Sequence, residues 1–341
     1  MIVYKYRSGR GTKDDNGKDV FERDIELLSK DSIYIPTVAQ LNDPGETLVD
    51  DSLFKVQLRL LEKLGAKSST KPMEESFHEL LDKVRSSGIY SLSKEIGNEL
   101  MWAYYASGHG GYAIIFDTEV LARSYGWVKC GGMYEFDVKY SSKLPRFDIS
   151  KIEKPGMEDL LSCLVGTKSK AWKHEAEHRL LFDKGGQCME IDYRALKGFV
   201  FGCRMKMDDI DYVMRRFSGR NLLYYQMTTK GDSYKLSLKR LQDACPTEIE
   251  YCPNRVAYDI NELIEGDRLI GGVGYEYRSY VEKALEEVCR EPFVINVSHI
   301  VVSEDMGKPH ILIWTNVKQD GVYNPMRSFE YDVIDGALVS D

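Results

Sequence analysis

The stretch YAIIFD, Tyr112–Asp117, does most to limit what this chain can fold into. It is a continuous apolar run with no polar residue at alternate positions, so it reads as a buried strand and not as a half-wet one. Strand-like and helix-like stretches alternate around it. IVYKYRS (Ile2 to Ser8) alternates apolar with polar residues and reads as a strand, Phe21 to Ser29 as a helix and SIYIPT as a short strand. Ser52 to Ala66 carries leucines at helical spacing. GAKSSTKP is a polar break before a second amphipathic helix, Met73 to Arg85. Ile89 to Ser93 reads as a strand, and NELMWAYYASGHGG as a short helix ended by Gly110 and Gly111. YEFDVKY (Tyr134 to Tyr140) alternates strictly, Met157 to Lys170 is helical, and CMEIDY and FVFGCRM read as strands. Asp208 to Arg216 follows as a helix, then NLLYYQMT and YKLSLKRL as a hairpin. Near Pro246 the texture changes to the loop-like CPTEIEYCPNR. Beyond it Arg268 to Arg290 reads as largely helical, and VINVSHIVVSE, PHILIWTNVK and SFEYDVI as strands. The expectation is an α+β domain over residues 1–245 and a mixed α/β C-terminal extension over residues 246–341.

A chain of 341 residues can bury about three quarters of its unfolded surface, so it needs no covalent staples. Its net charge of -8 argues against a broad basic surface for duplex nucleic acid. The seven cysteines are scattered, odd in number and free of any C-x-x-C, which points to thiols in a reducing, cytoplasmic setting. MIVYKYRSGRG is too polar for a signal peptide, and no apolar run reaches membrane-spanning length.

WKHEAEHRLLF, Trp172 to Phe182, fits two templates at once. His174-Glu175-x-x-His178 is the zinc-protease pattern, which needs both histidines on one helical face and a third ligand. No third-ligand extension follows, since Phe182-Asp183-Lys184 comes next. As a strand, the same stretch puts Trp172, His174, Ala176, His178, Leu180 and Phe182 on one mainly apolar face and Glu175, Glu177 and Arg179 on the other. The second face is either a solvated salt-bridge face or the edge of a site. GGVGYE (Gly271 to Glu276) lacks the strand and full spacing of a dinucleotide fingerprint, and no phosphate-cradling G-x-x-x-x-G-K-[ST] occurs.

Arg7 on the first strand, Ser91-Leu92-Ser93 and Glu175-Ala176-Glu177 stand in the order Arg, Ser-x-Ser, Glu-x-Glu. That order resembles one group of ADP-ribosyltransferases. A wider set of blocks resembles the bacterial domain-of-unknown-function 2971 family. These are YKYRS, LNDPGE, YSLSKEIGNELMWAYYASGHGGYAIIFD, VKY, TKSKAWKHEAEHRLLF and GFVFG, running from about residue 4 to about residue 206. One position departs, with Tyr104 where a His is expected, and His174 stands where the family pattern is typically aromatic.

The resemblance implies an ADP-ribosyltransferase-like fold of mixed sheets with flanking helices. It also implies NAD as substrate, with ADP-ribosyl transfer or NAD hydrolysis as the activity and a toxin or antiviral effector as the role. Glu177 would stabilise the oxocarbenium-like transition state and Glu175 would serve the acceptor. Arg7 would hold the pyrophosphate. Ser91 and Ser93 would hold a carboxylate or a ribose hydroxyl, Trp102 and Tyr104 would stack on nicotinamide, and Asn42 would line the site. No metal is expected. The partners implied are NAD, a protein or nucleic-acid acceptor and a protein bound through the extension, with no membrane. The rival readings are a non-catalytic ligand-sensing or protein-binding module and, third, a metal-dependent hydrolase.

Overall fold

The computed structural model of the chain describes residues 1–14, 16–128, 133–149, 157–231, 233–265, 269–270, 277–305, 308–319 and 322–340. Its elements in chain order begin β1 (Ile2–Arg7), α1 (Val20–Ser29), β2 (Ser32–Ile35), α2 (Ser52–Lys63), α3 (Lys67–Ser86), β3 (Gly88–Ser93), α4 (Glu99–Tyr105), β4 (Tyr112–Asp117) and α5 (Thr118–Val128). β5 (Met133–Asp137), β6 (Lys139–Ser141), α6 (Met157–Val165), β7 (Thr167–Ser169), β8 (Glu177–Phe182), β9 (Gln187–Glu190), β10 (Leu196–Phe201), α7 (Met207–Arg216), β11 (Leu223–Lys230) and β12 (Ser233–Leu241) follow. The last are α8 (Ile260–Glu265), β13 (Leu269–Ile270), α9 (Arg278–Val288), β14 (Val294–Asp305), β15 (Lys308–Val317), β16 (Met326–Ile334) and β17 (Ala337–Ser340). The fold is mixed α+β. It divides into two compact units, Met1–Arg123 with Gly131–Thr247, and Ser124–Cys130 with Glu248–Asp341. Among the described residues no helix is long and apolar enough to cross a membrane.

The first unit is built on an eight-stranded sheet in the order β12-β11-β10-β4-β1-β3-β8-β5. β4, the strand YAIIFD, lies inside it, paired antiparallel with β1 on one edge and β10 on the other. Its composition follows from that place, because it is covered on both faces. Tyr112, Ile114 and Phe116 project to one side, where Phe21 of α1 meets Tyr112 edge-on at 5.6 Å. Ala113 and Ile115 project to the other, into a cluster with Tyr6, Met101, Trp102 and Val200. A further cluster that includes Phe54, Phe77, Val84, Ile89, Leu164 and Leu181 packs α2, α3 and α6 against β3 and β8.

β1 is paired with β4 from Ile2 to Arg7, yet it shares a single register pair with β3, Tyr4–Ser93. β3 in turn pairs with β8 along its whole length, Gly88–Phe182 to Ser93–Glu177. The sheet is therefore zipped on both sides of the β1–β3 junction and open within it. The second unit is a five-stranded sheet in the order β13-β14-β15-β16-β17. Val281, Ala284, Leu285 and Val288 of α9 pack on Ile300, Val302, Ile311 and Ile313.

Several sequence expectations need correction. The break in GAKSSTKP is confined to Gly65 and Ala66: α3 begins at Lys67 and runs through Pro72. Thr70, Phe77 and Val84 are its buried residues, seven apart, so the helical stripe starts before the proline while the polar residues around it face solvent. YEFDVKY is not one strand. β5 ends at Asp137, and β6 leaves the large sheet to pair in parallel with β7. The helix expected to reach Lys170 stops at Val165, because Thr167–Ser169 is that partner strand. In the second unit the helix begins at Arg278, not Arg268. GGVGYE, Gly271 to Glu276, lies outside the described residues.

Gly111 tests how tightly the end of β1 is held. A Cβ there would lie 2.3 Å from the Arg7 carbonyl oxygen and 2.9 Å from the Gly9 nitrogen, both backbone atoms. Gly111→Ala should therefore destabilise the protein by about 1–3 kcal/mol, the scale of overpacking, as measured by denaturant unfolding.

Candidate functional site

The stretch Trp172 to Phe182 is neither a helix nor a full strand. Lys170–Glu175 is a 3-10 turn, Ala176 sits in the left-handed region at φ 43° and ψ 49°, and the strand begins only at Glu177. The helical template fails here, and the strand template holds in part. His174 and His178 leave from different elements, with His174 Nδ1 3.0 Å from the Ala171 carbonyl oxygen and His178 Nδ1 2.9 Å from Asp137 Oδ1. They do not share the helical face that the zinc pattern needs. The strand reading holds from Glu177 onward but not before it, because the turn at Ala176 breaks the alternation. Nor is the charged face of β8 wet: Glu177 is 4 % exposed and Arg179 0 %.

Arg179 is the centre of a buried ion network. Its Nη1 and Nη2 donate to Glu46 Oε2 and Oε1 at 2.8 and 2.5 Å. Its Nε and Nη2 donate to Glu177 Oε1 and Oε2 at 2.8 and 3.1 Å. Nη1 also donates to the Val165 carbonyl at 2.6 Å, at the end of α6. Lys168 on β7 completes the cluster, with Nζ 2.6 Å from Glu175 Oε2, 3.2 Å from Glu177 Oε2 and 3.6 Å from Glu46 Oε1. Tyr105 of α4 donates its hydroxyl to Glu175 Oε1, and the Tyr140 hydroxyl accepts from the Glu177 backbone N–H at 2.8 Å.

Two cations thus face three carboxylates, and the two acids of the Glu-x-Glu pair are driven apart. Burial alone would raise the Glu177 carboxyl, but the charges of Arg179 and Lys168 and the hydrogen bonds from Arg179 and Ser91 hold it down at about 2. Burial raises Glu175 above the ordinary carboxylate range, and Glu177 adds to that rise, while Lys168 and Tyr105 only partly offset it. One site therefore holds a carboxylate fixed in its ionised form beside a carboxyl group that binds a proton more readily. That pairing suits division of labour between acid–base and electrostatic roles.

These residues border a cavity of about 360 Å³, within the range of small-molecule sites. Its wall includes Lys5, Arg7, Arg23, Asp24, Asn42, Glu46, Tyr90, Ser91, Ser93, Tyr105, Lys168, Glu175 and Glu177. Arg7 bonds Asp24 through Nε at 2.6 Å and through Nη2 as well. Arg23 reaches the other oxygen of Asp24 at 3.0 Å. The Ser91 side chain lies beside Glu177 and helps to hold its carboxyl down. Ser93, fully inside, donates to the Glu175 carbonyl at 2.7 Å and so anchors the 3-10 turn. Asn42 lies beside the Tyr105 hydroxyl. Asp43 next to it caps its own turn, accepting from Gly45 N–H at 2.8 Å.

Of the residues expected from sequence, Glu175, Glu177, Arg7, Ser91, Ser93 and Asn42 come together on this cavity, and Trp102 and Tyr104 do not. Trp102 is fully buried, its Nε1 donating to the Ile96 carbonyl at 2.7 Å and its ring edge-on to Tyr6 at 5.1 Å. Tyr104 is 65 % exposed and lies edge-on to His174 at 5.9 Å. Its neighbour Tyr105 is the one turned inward. Lys5, Glu46, Tyr105, Tyr140 and Lys168 were not picked out from sequence as site residues, and Arg179 was singled out only as part of a face that is either solvated or a site edge. All six nevertheless fall inside blocks that carried the resemblance: YKYRS, LNDPGE, the NELMWAYY helix, VKY and TKSKAWKHEAEHRLLF.

Residues 101–180 match the model of a family described as "Protein of unknown function (DUF2971)". The match takes in Tyr105, Tyr140, Lys168, Glu175, Glu177 and Arg179 and supports the resemblance to that family over this part of the chain. No curated protein and no solved structure matches the chain.

The depressed Glu177 carboxyl has a consequence for stability. A group held below its unfolded value contributes stability above that value and loses it as pH falls through the folded one. The contribution should be complete above pH 4.5 and fade as pH drops toward about 2. The raised Glu175 acts in the opposite sense, costing stability at neutral pH until it is protonated. Glu177→Gln should flatten the acid limb of stability against pH between those two values, as read by urea unfolding across the range.

Proposed function

We propose that this cavity binds NAD and breaks its nicotinamide–ribose bond, passing ADP-ribose to water or to a protein or nucleic-acid acceptor on an ADP-ribosyltransferase-like scaffold. The observation that carries the reading is the adjacency of β1, β3 and β8. Arg7, the Ser91–Ser93 pair and the Glu175–Glu177 pair are far apart in sequence, yet they border one cavity of ligand size. When the bond breaks, its electron pair leaves with nicotinamide and positive charge develops on the ribose. Glu177 suits that moment, because it stays ionised at every pH the protein would work at and accepts a bond from the ribose 2′-hydroxyl. Glu175, with its greater affinity for a proton, suits removal of the acceptor's proton. Arg7 sits toward the far wall, where the pyrophosphate would lie. Depletion of NAD is how such an activity would serve a toxin or an antiviral effector.

One feature favours a second reading, a non-catalytic ligand-sensing module. Both oxygens of Glu177 already accept bonds from Arg179, and Arg7 is already paired with Asp24. A carboxylate so committed within the protein can hold a wall in shape without meeting a reacting atom.

Incubation with NAD labelled in both halves separates the two. On the NAD reading, nicotinamide is released, and Glu177→Gln cuts turnover by about a hundredfold or more while leaving NAD affinity unchanged. Arg7→Ala weakens NAD binding instead, and Glu175→Gln spares hydrolysis more than transfer. Each variant is first checked for an intact melting transition. Binding without cleavage in any acceptor mixture leaves the sensor reading, and absence of both ends the NAD assignment.

A further inference from the structure

Lys5 has no part in the reading above, yet it occupies the point where the sheet opens. Beyond the Tyr4–Ser93 pair, β1 and β3 share no further register, and Lys5 reaches across the gap. Its Nζ donates to the Ser91 carbonyl at 2.8 Å and lies 4.6 Å from the centre of the Tyr90 ring. Lys5 and Tyr90 both line the cavity. The charged groups facing the amine are Arg7 on β1, Asp24 on α1, Glu175 on the 3-10 turn and Glu177 on β8.

Burial disfavours the ammonium, and Arg7 adds to that effect. The three carboxylates only partly offset it, so the amine is held at about 7 instead of 10.5. The amine therefore gives up its proton more readily than that of an ordinary lysine. A desolvated lysine beside another cation is a recurring form of activated amine. Two arginines stand in the wall next to it. Arg7 and Arg23 share the single carboxylate of Asp24, and the other carboxylate on Arg23, Asp14, is not part of the cavity wall.

We propose that Lys5 is a reactive amine, and that the cavity takes a small molecule bearing both a carbonyl carbon and a phosphate, with the carbonyl at Lys5 and the phosphate at Arg7 and Arg23. The unprotonated nitrogen attacks the carbonyl carbon, and the carbon–oxygen π pair moves to oxygen, which takes up a proton. The nitrogen gives up a proton to leave a hydroxyl-bearing adduct, the hydroxyl takes up a second proton and leaves as water, the nitrogen gives up its remaining proton, and a carbon–nitrogen double bond remains. Amine and carbonyl compound become imine and water, with no oxidant or reductant required. Glu175 lines the same cavity and, with its raised affinity for a proton, is placed to supply the one that oxygen takes. None of this requires NAD cleavage, although ADP-ribose, whose freed ribose opens to an aldehyde, belongs to the same chemical class.

The test is to treat the full chain with pyridoxal 5′-phosphate, reduce with borohydride and map the modified peptide by mass spectrometry. The expected result is about one label per chain, carried by the peptide that contains Lys5. Its rate should rise with pH about a midpoint near 7. Unphosphorylated pyridoxal should react more slowly, and Arg23→Ala should slow the phosphorylated probe by about tenfold or more, the scale of one charge-assisted hydrogen bond. Lys5→Arg should abolish the label and keep the melting temperature. Label spread over exposed lysines such as Lys71 with Lys5 unmodified would overturn the proposal, as would a Lys5 rate still rising steeply above pH 9. Equal rates for the two probes would remove the phosphate from it.

Discussion

Arg179 is the interaction on which the site depends. A guanidinium with no exposure to water is tolerable only where its donors are satisfied, since the desolvation of a buried charge is large. Here it is bonded to Glu46 in the loop after β2, to Glu177 at the start of β8 and to the carbonyl that ends α6. Three separate segments of the chain are thereby fixed to one another. Lys168 repeats the arrangement from β7, touching the same carboxylates from another side. The loss of either cation would leave buried carboxylates facing each other, which is why the wall they form has a defined shape.

The cavity exists because one junction in an otherwise continuous sheet is not closed. β1 is zipped to β4 and β3 to β8, while β1 and β3 share the single register pair Tyr4–Ser93. Side chains from the unpaired stretches take over from backbone bonds, most directly Lys5 to the Ser91 carbonyl. The opening has acids bound by Arg179 and Lys168 at one end and arginines around Asp24 at the other.

The break at Ala176 gives the acidic end its geometry. In a regular strand Glu175 and Glu177 would project in parallel from one face. With Ala176 left-handed, Glu175 comes instead from a 3-10 turn, and both carboxylates converge on Lys168 at 2.6 and 3.2 Å. A left-handed alanine costs about 1–2 kcal/mol. It is offset locally by the Lys94 N–H bonding the Ala176 carbonyl at 3.0 Å and by Ser93 holding the Glu175 carbonyl. Strain of this kind tends to persist where a site needs an unusual direction for a side chain.

The sequence by itself determined the local elements wherever one physical pattern dominated. YAIIFD read as a buried strand and is one, and PHILIWTNVK read as the strand that β15 forms. The motif pieces Arg7, Ser91, Ser93, Glu175 and Glu177 were legible as residue types in order, and all border the cavity. What the sequence could not convey was direction. Tyr104 and Tyr105 are adjacent and chemically identical, and only the packing of α4 decides which one meets Glu175. Nothing in TKSK ranks Lys168 above Lys170, because the parallel pairing of β6 with β7 is what aims it inward. Glu177 and Arg179 read equally well as a solvated face until the helices packed beside β3 and β8 cover them. Local pattern follows from nearest-neighbour sterics and hydrophobic period, whereas the site is made of contacts between segments far apart in the chain, and those are settled only when the tertiary structure closes around Arg179.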